Sequence, residues 1–207
     1  MDNIEGCYLL RGLLIGLLFG LPVGAVGAMA VQRTFHGGFS AGLITGLGSS
    51  FADGLYACAG ALGFSFVSGF LLERQRELRL LGGVLILSMG LRLLLGRRGS
   101  GAASAPPVRG ARMFWSSFAV GITNPAAMLT FLFAFSWFGI PGQLKLCQGL
   151  PLVGGVLAGT GLWWAALSGA VCAGRKRWGE KIARWIDPVF GSVFILLALA
   201  VFAGTWA

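Results

Sequence analysis

The chain has 207 residues, of which 56% are hydrophobic and only 11% are charged. Soluble domains carry about 25% charged residues, so this composition excludes an ordinary soluble protein and leaves no room for a separate soluble domain. The net charge of +9 would suit nucleic acid, but the basic residues lie in short connectors between apolar runs, where they act as topology signals. We therefore predict an integral membrane protein and expect no nucleic-acid partner.

Six apolar runs are long enough to cross a bilayer, which takes about 20 helical residues, and the third and shortest reaches that length only with Arg92 snorkelling toward the interface. They cover residues 8–31, 39–64, 80–95, 113–140, 150–173 and 185–206. A flexible connector rich in Gly, Ala, Ser and Pro, residues 96–111, divides them into three and three. The predicted fold is an all-α membrane protein with two three-helix repeats, residues 1–95 and 112–207. The repeats enter the membrane in opposite orientations because each has an odd number of helices.

The charges in the connectors predict the orientation. Basic residues are in excess on the side that holds Arg33, Arg97, Arg98, Arg109, Arg112, Arg175, Lys176, Arg177, Lys181 and Arg184. The positive-inside rule makes that side cytoplasmic and both termini external. The first run follows Asp2 and Glu5 with no positive segment before it, which is unlike a cleaved signal peptide. The four cysteines show no CxxC spacing, so we expect free thiols.

One acid lies in the middle of the second run. Asp53 is the single formal charge between Phe39 and Leu72. Small residues recur every four positions around it, at Gly38, Gly42, Gly46, Ser50 and Gly54, and form a ridge that lets another helix approach closely. At about 100° per residue, Asp53 shares this face and is flanked by Ser49 and Ser50. We predict that the acid faces the bundle interior, as a functional group or as a structural tie between helices.

A proline interrupts the first run of each half, at Pro22 and at Pro125. Proline lacks the N–H that would bond to the carbonyl four residues earlier, which frees the Leu18 carbonyl in one half and the Gly121 carbonyl in the other. Interrupted helices at matching positions of inverted repeats are the best sequence pointer to a transporter binding site near the midplane. The alternative is two ordinary packing kinks.

The first run has a ridge of its own. Small residues recur every four positions at Gly12, Gly16, Gly20, Gly24 and Ala28. Two such ridges on consecutive helices suggest that the first and second runs pack backbone to backbone, which would bring Asp53 close to the break at Pro22.

These motifs together resemble the lysine/homoserine/threonine exporter (LysE-type) family of bacterial inner-membrane translocators. The resemblance spans nearly the whole chain and keeps the order and spacing of the motifs. It is carried by Leu21-Pro22-Val23-Gly24, Val31-Gln32-Arg33-Thr34, the Gly42–Gly48 segment GLITGLG, Ala52-Asp53-Gly54-Leu55-Tyr56, and Asn124-Pro125. The family has a second proline in the first helix where this chain has Ala25, which leaves one break there instead of two.

The resemblance implies export of amino acids or similar small solutes driven by the proton gradient, although some relatives move cations. It also implies candidate roles for individual residues at matching motif positions. With the residues singled out above, the candidate substrate- and proton-binding set is Asp53, Pro22, Gly24, Ser49, Ser50, Tyr56, Asn124 and Pro125. The expected partners are a small-molecule substrate, protons and the lipid bilayer. Glycine ridges serve contacts within one chain and between copies alike, so a homo-oligomer stays open.

The remaining motifs point to no cofactor and no metal site. The segment GLPVGAVG lies inside a span and follows no strand, so it is no dinucleotide loop. His36 is the sole histidine, which rules out a Ser-His-Asp site, and we interpret it as a solvated loop residue. Asp187-Pro188 fits a helix N-terminus. Trp163 and Trp164 lie in mid-span and could line a substrate path, but filler is the more common role.

Three classes of function remain in view. A secondary transporter fits the broken helices and the buried acid best. A cation transporter, channel or accessory membrane subunit would also use a lone acid and glycine ridges. A membrane enzyme is disfavoured because such sites usually need a nucleophile with a base or a cluster of acids and histidines.

Overall fold

The computed structural model of the protein describes residues 2–21, 24–63, 73–95 and 110–206. These residues are helical and contain no strand. The helices are α1 (Asp2–Phe19), α2 (Ala25–Gly37), α3 (Phe39–Ala61), α4 (Gln75–Leu95), α5 (Gly110–Ile122), α6 (Pro125–Trp137) and α7 (Leu146–Trp206). Pro22 and most of the predicted connector, residues 96–109, lie outside the described residues. The division of the chain at 96–111 therefore stays a prediction.

Three described segments are long and apolar enough to cross a membrane alone: Arg76–Leu95, Leu146–Arg175 and Trp185–Gly204. Gly110–Ile122 and Ala127–Trp137 qualify together as a fourth span that bends by 68°. The first predicted run does not qualify because it is interrupted between α1 and α2. The second corresponds to α3, which is long enough but rich in Gly and Ser. The described residues thus contain three or four spans by this measure, where the sequence predicts six.

The last two predicted runs form one helix, α7, of 61 residues. Trp164 and Phe194 belong to the same buried cluster although they are 30 positions apart, which corresponds to about 45 Å along a straight helix. Trp164 and Leu197 also line one cavity, so the helical segment α7 is not straight and must turn back between its two spans, Leu146–Arg175 and Trp185–Gly204. Asp187 and Pro188 lie within the helical residues of α7, just after the start of the span Trp185–Gly204, so the prediction of a helix cap at Asp187 with Pro188 at the first helical position is wrong.

Glycines pack α1 against α7, and the prediction that the ridge of the first run packs on the second run is wrong for this part of the chain. A side-chain carbon at Gly12 would overlap the Leu152 carbonyl, and one at Gly16 would overlap the backbone at Val156. These contacts advance together along both helices, so α1 and the first part of α7 run parallel. Two glycines of α7 complete the contact from the other side, Gly155 and Gly159. A ridge of small residues marks a close approach but does not specify the partner.

Helix α3 lies in the centre of the bundle and packs on α2, α5 and α7. Small residues make each approach possible. Gly46 lies against the Trp164 ring of α7, Gly48 lies against the Phe114 backbone of α5, and Gly121 of α5 lies against Ala52. Since the contacts with α5 also advance together, α3 and α5 run parallel. The interior position explains why α3 can carry Ser, Thr and Asp in place of large apolar residues.

Polar side chains tie the helix ends on the side predicted to be cytoplasmic. Arg33 donates to the Met113 carbonyl at 2.9 Å and to Ser116 Oγ at 2.8 Å, so α2 is joined to α5. His36 Nε2 lies 2.8 Å from Asp187 Oδ1. His36 therefore belongs to the last turn of α2 and contacts α7, where the sequence predicted a solvated loop residue.

Candidate functional site

Asp53 is buried in the interior, on the face of α3 that its spacing from the small residues indicates. Its exposed fraction is 8%. Gly54 and Gly46 flank it and allow the Leu157 and Trp164 side chains of α7 to pack closely on α3. Among the residues that the structure describes, none forms a hydrogen bond or an ion pair with the Asp53 carboxylate. A buried acid without a protein partner is available to a proton or to a ligand.

A cavity of about 630 Å³ contains this carboxylate. The volume lies in the range of sites for small molecules. The cavity walls come from both helix breaks, from α3 and α4, and from two separate parts of α7. The polar and charged residues among those that line it are Ser49, Asp53, Arg79, Thr123, Asn124, Thr130 and Trp164. The apolar part of the wall includes Phe19, Val26, Ile86, Val120, Phe131 and Leu197.

The first break lies between Phe19 and Ala25. Gly24 has φ +89° and ψ −152°, a region that is essentially restricted to glycine. An unbroken helix would bond the Leu17 carbonyl to the Leu21 N–H, but here this carbonyl accepts a hydrogen bond from Trp163 Nε1 at 2.6 Å. Trp163 is therefore a cap for the end of α1 and not filler.

The second break lies between Ile122 and Pro125. The Tyr56 hydroxyl lies 2.8 Å from the Ile122 carbonyl, 3.2 Å from that of Gly121 and 3.4 Å from that of Asn124. It has one proton to donate, so it serves one of these carbonyls at a time. The Gly121 carbonyl also accepts from the Asn124 N–H at 3.0 Å, and it is thus not left free as the sequence suggested.

The predicted site residues fall into three groups. Gly24, Ser49, Asp53 and Asn124 line the cavity. Ser50 and Tyr56 lie behind it, where Ser50 Oγ accepts a hydrogen bond from Thr160 at 2.8 Å and Tyr56 caps the second break. Pro22 lies outside the described residues. Pro125 begins α6, and its side chain also lies outside the described part of the structure.

Four of the polar and charged wall residues were missed or undervalued in the sequence: Arg79, Thr123, Thr130 and Trp164. Trp164 is 3% exposed, lines the cavity and has an indole N–H without a partner among the described residues. Its mid-span position was the available signal. Thr123 precedes the second break and could have been included with Asn124. Arg79 precedes the third predicted run and belongs to the connector basic residues that were interpreted only as topology signals.

These features define a multi-pass helical membrane protein with a cavity between its helices of a size suited to a small solute. A family model described as LysE type translocator matches residues 17–204, which is most of the chain, and the protein belongs to the LysE type translocator family. The family resemblance seen in the motifs is confirmed. No curated protein and no solved structure matches the chain.

Family membership establishes the general activity. The family consists of transporters and not of enzymes, so the protein is a membrane translocator with a small-molecule substrate. Within the described ranges, no group of three His, Cys, Asp or Glu side chains could hold a metal ion.

Proposed function

We propose that this protein is a secondary active transporter that exports amino acids or similar small solutes across the bacterial inner membrane, coupled to the proton gradient. The observation that carries the proposal is the position of Asp53: a buried carboxylate without a protein partner among the described residues, in a solute-sized cavity with a helix break on either side. Sites of this kind near the midplane are typical of secondary transporters.

The proposed architecture is six spans in two inverted three-helix repeats, with both termini external. Two cross-repeat contacts support it. The leading helix of the first half, α1, packs in parallel on the second span of the second half, and α5 packs in parallel on α3. The caps of the helix breaks also come from the opposite half. Trp163 of the second half caps the first break, and Tyr56 of the first half caps the second break. An inverted duplication would generate such reciprocal pairs.

In the proposed mechanism, Asp53 binds the coupling proton or a cationic group of the substrate. Ser49, Gly24 and Asn124 line the same cavity and offer side-chain or backbone polar groups for contacts with the solute. Ser50 and Tyr56 hold α3 against α7 and against the second break, and Pro22 and Pro125 keep the helices interrupted. Rocking of one half against the other would open the cavity alternately to the two sides.

Transport by purified protein in proteoliposomes tests the role of Asp53. A mixture of the twenty standard amino acids is loaded inside, and efflux is measured at several pH values under an imposed proton gradient. We expect Asp53→Asn to lose at least nine-tenths of gradient-driven efflux and its pH dependence. The matched control is Glu77→Gln, the corresponding carboxylate-to-amide change at an exposed acid that pairs with Arg74 at 3.2 Å, outside the cavity. Unchanged rate and pH dependence in Asp53→Asn would refute the coupling role.

A further inference from the structure

Two of the described residues that line the cavity are charged, and their charges are opposite. Asp53 comes from α3 and Arg79 comes from α4. Neither has a charged partner among the described residues. Arg79 donates from Nη1 to the Gly204 carbonyl at 3.0 Å, which is a neutral group at the end of α7. The guanidinium therefore keeps its ability to bind a carboxylate.

The helices that carry the two charges, α3 and α4, both contact the segment around the second helix break. Ala52 and Ser49, on the Asp53 turn of α3, pack against Gly121 just before the break. Gly82 of α4 packs against Thr123, and Arg79 is three residues from Gly82, or about 4.5 Å along α4. The flexible side chain of Arg79 can cover several ångströms more. The two charges thus approach one part of the cavity from different helices.

The charge pattern restricts the solutes that fit. A solute with only a positive charge would be attracted by Asp53 but repelled by Arg79. A solute with only a negative charge would be attracted by Arg79 but repelled by Asp53. A solute that carries both an ammonium and a carboxylate satisfies both groups at once. Arginine is well suited to the second contact, because its planar guanidinium can bind a carboxylate through two parallel hydrogen bonds.

We propose that Arg79 is the specificity-determining residue that binds the substrate carboxylate, so that the cavity takes zwitterionic solutes with their ammonium toward Asp53. This proposal rests on the proposed function for the location of the site and for amino acids as substrates, and it adds the residue that recognises the carboxylate and the orientation of the solute. Apolar wall residues such as Ile86, Val120 and Leu197 remain to contact the solute side chain.

Binding to the detergent-purified protein tests the proposal without a transport assay. The twenty standard L-amino acids are first screened for thermal stabilisation. For the strongest stabiliser, Kd is measured for the free amino acid, for its methyl ester, which lacks the carboxylate, and for its N-acetyl derivative, which lacks the ammonium. We expect the wild type to prefer the free amino acid to either derivative by about tenfold or more.

The variants separate recognition from structure. Arg79→Gln should weaken binding of the free amino acid by about tenfold or more and leave the affinity for the methyl ester within about twofold. Arg79→Lys should recover part of the loss, because it restores the charge without the planar geometry. Arg76→Gln is the control, since Arg76 is an exposed neighbour in the same helix and does not line the cavity.

Several results would overturn the proposal. One is the absence of stabilisation by any free amino acid, and another is equal binding of acid and ester by the wild type. A third is an equal loss of both ligands in Arg79→Gln, which would mean that Arg79 only holds α4 to α7 through Gly204. These outcomes are distinct from failure of the proposed function, because efflux that depends on Asp53 could persist in each case.

Discussion

The two helix breaks beside the cavity are held by different forces. The first break follows α1, which is fixed to α7 by backbone contacts at Gly12 and Gly16, and it has one side-chain cap, the Trp163 indole. The second break is shorter and is held mainly by hydrogen bonds. One tyrosine hydroxyl reaches three of its carbonyls, and the Asn124 N–H bonds back to Gly121.

The two breaks therefore depend on different properties, the first on close packing and the second on hydrogen bonding. The first break depends on the absence of side chains where α1 meets α7, so added volume should disturb it most. The second depends on polar caps, so the loss of one hydroxyl should disturb it most. Substitutions that change one property at a time can therefore test each break separately.

The largest effect is expected from Gly159→Leu. A side chain at Gly159 would meet the Leu13 carbonyl and, at 2.9 Å, the Gly16 Cα, and both belong to the backbone of α1. Overpacking usually costs 1–3 kcal/mol, and we expect about 3 kcal/mol or more here because neither helix backbone can yield easily. The measurement is the loss of monodisperse protein on heating in detergent.

Gly161→Leu is the matched control for this experiment. Gly161 lies two positions further along α7, and a side-chain carbon there would contact nothing within 4 Å. We expect its unfolding midpoint to stay close to that of the wild type. Equal midpoints for the two leucine variants would show that close packing does not hold the first break.

The second-largest effect is expected from Tyr56→Phe. The substitution removes the hydroxyl and keeps the ring, so the Ile122 carbonyl loses its 2.8 Å partner inside the bundle. A buried polar group left without a partner costs about 1–3 kcal/mol, and we expect a loss of stability in that range. Thermal unfolding in detergent measures it.

Tyr8→Phe provides the comparison, since Tyr8 packs at the edge of the same apolar cluster and its hydroxyl bonds to neither break among the described residues. We expect that variant to change stability by less than about 0.5 kcal/mol. If Tyr56→Phe lowers stability no more than Tyr8→Phe does, hydrogen bonding does not support the second break.

Much of the site was predictable because the helical period fixes the direction in which each side chain leaves its helix. The spacing of Asp53 from Gly42 and Gly46 placed the acid inside, and Asn124-Pro125 located the break where α5 and α6 meet at 68°. Both inferences need only helix geometry and the chemistry of proline. The cavity residues Gly24 and Ser49 followed from the same patterns.

Contacts between segments that are distant in the sequence were harder to predict. The ridge at Gly12 and Gly16 indicated a close contact, but α3 and α7 offer equally small residues, and nothing local decides between them. The same limit hid Trp163, whose indole caps a carbonyl 146 positions away. Arg79 was overlooked because a basic residue near a span end serves topology and recognition equally well.

The smallest effect is expected from removal of the Trp163 N–H. Replacement of Trp163 by 3-benzothienylalanine keeps the shape of the indole and removes the donor to the Leu17 carbonyl at 2.6 Å. A neutral hydrogen bond contributes about 1 kcal/mol, and the loss should be no larger because glycine packing continues to hold α1. The same replacement at Trp115, which is 59% exposed, gives the baseline for the analogue.

A loss of stability at Trp163 that exceeds the loss in Tyr56→Phe would reverse the comparison between the breaks, since the first break would then depend on its cap more than the second break depends on its own. A loss below that of Tyr56→Phe, combined with collapse of Gly159→Leu, would show that shape holds one break and hydrogen bonding holds the other.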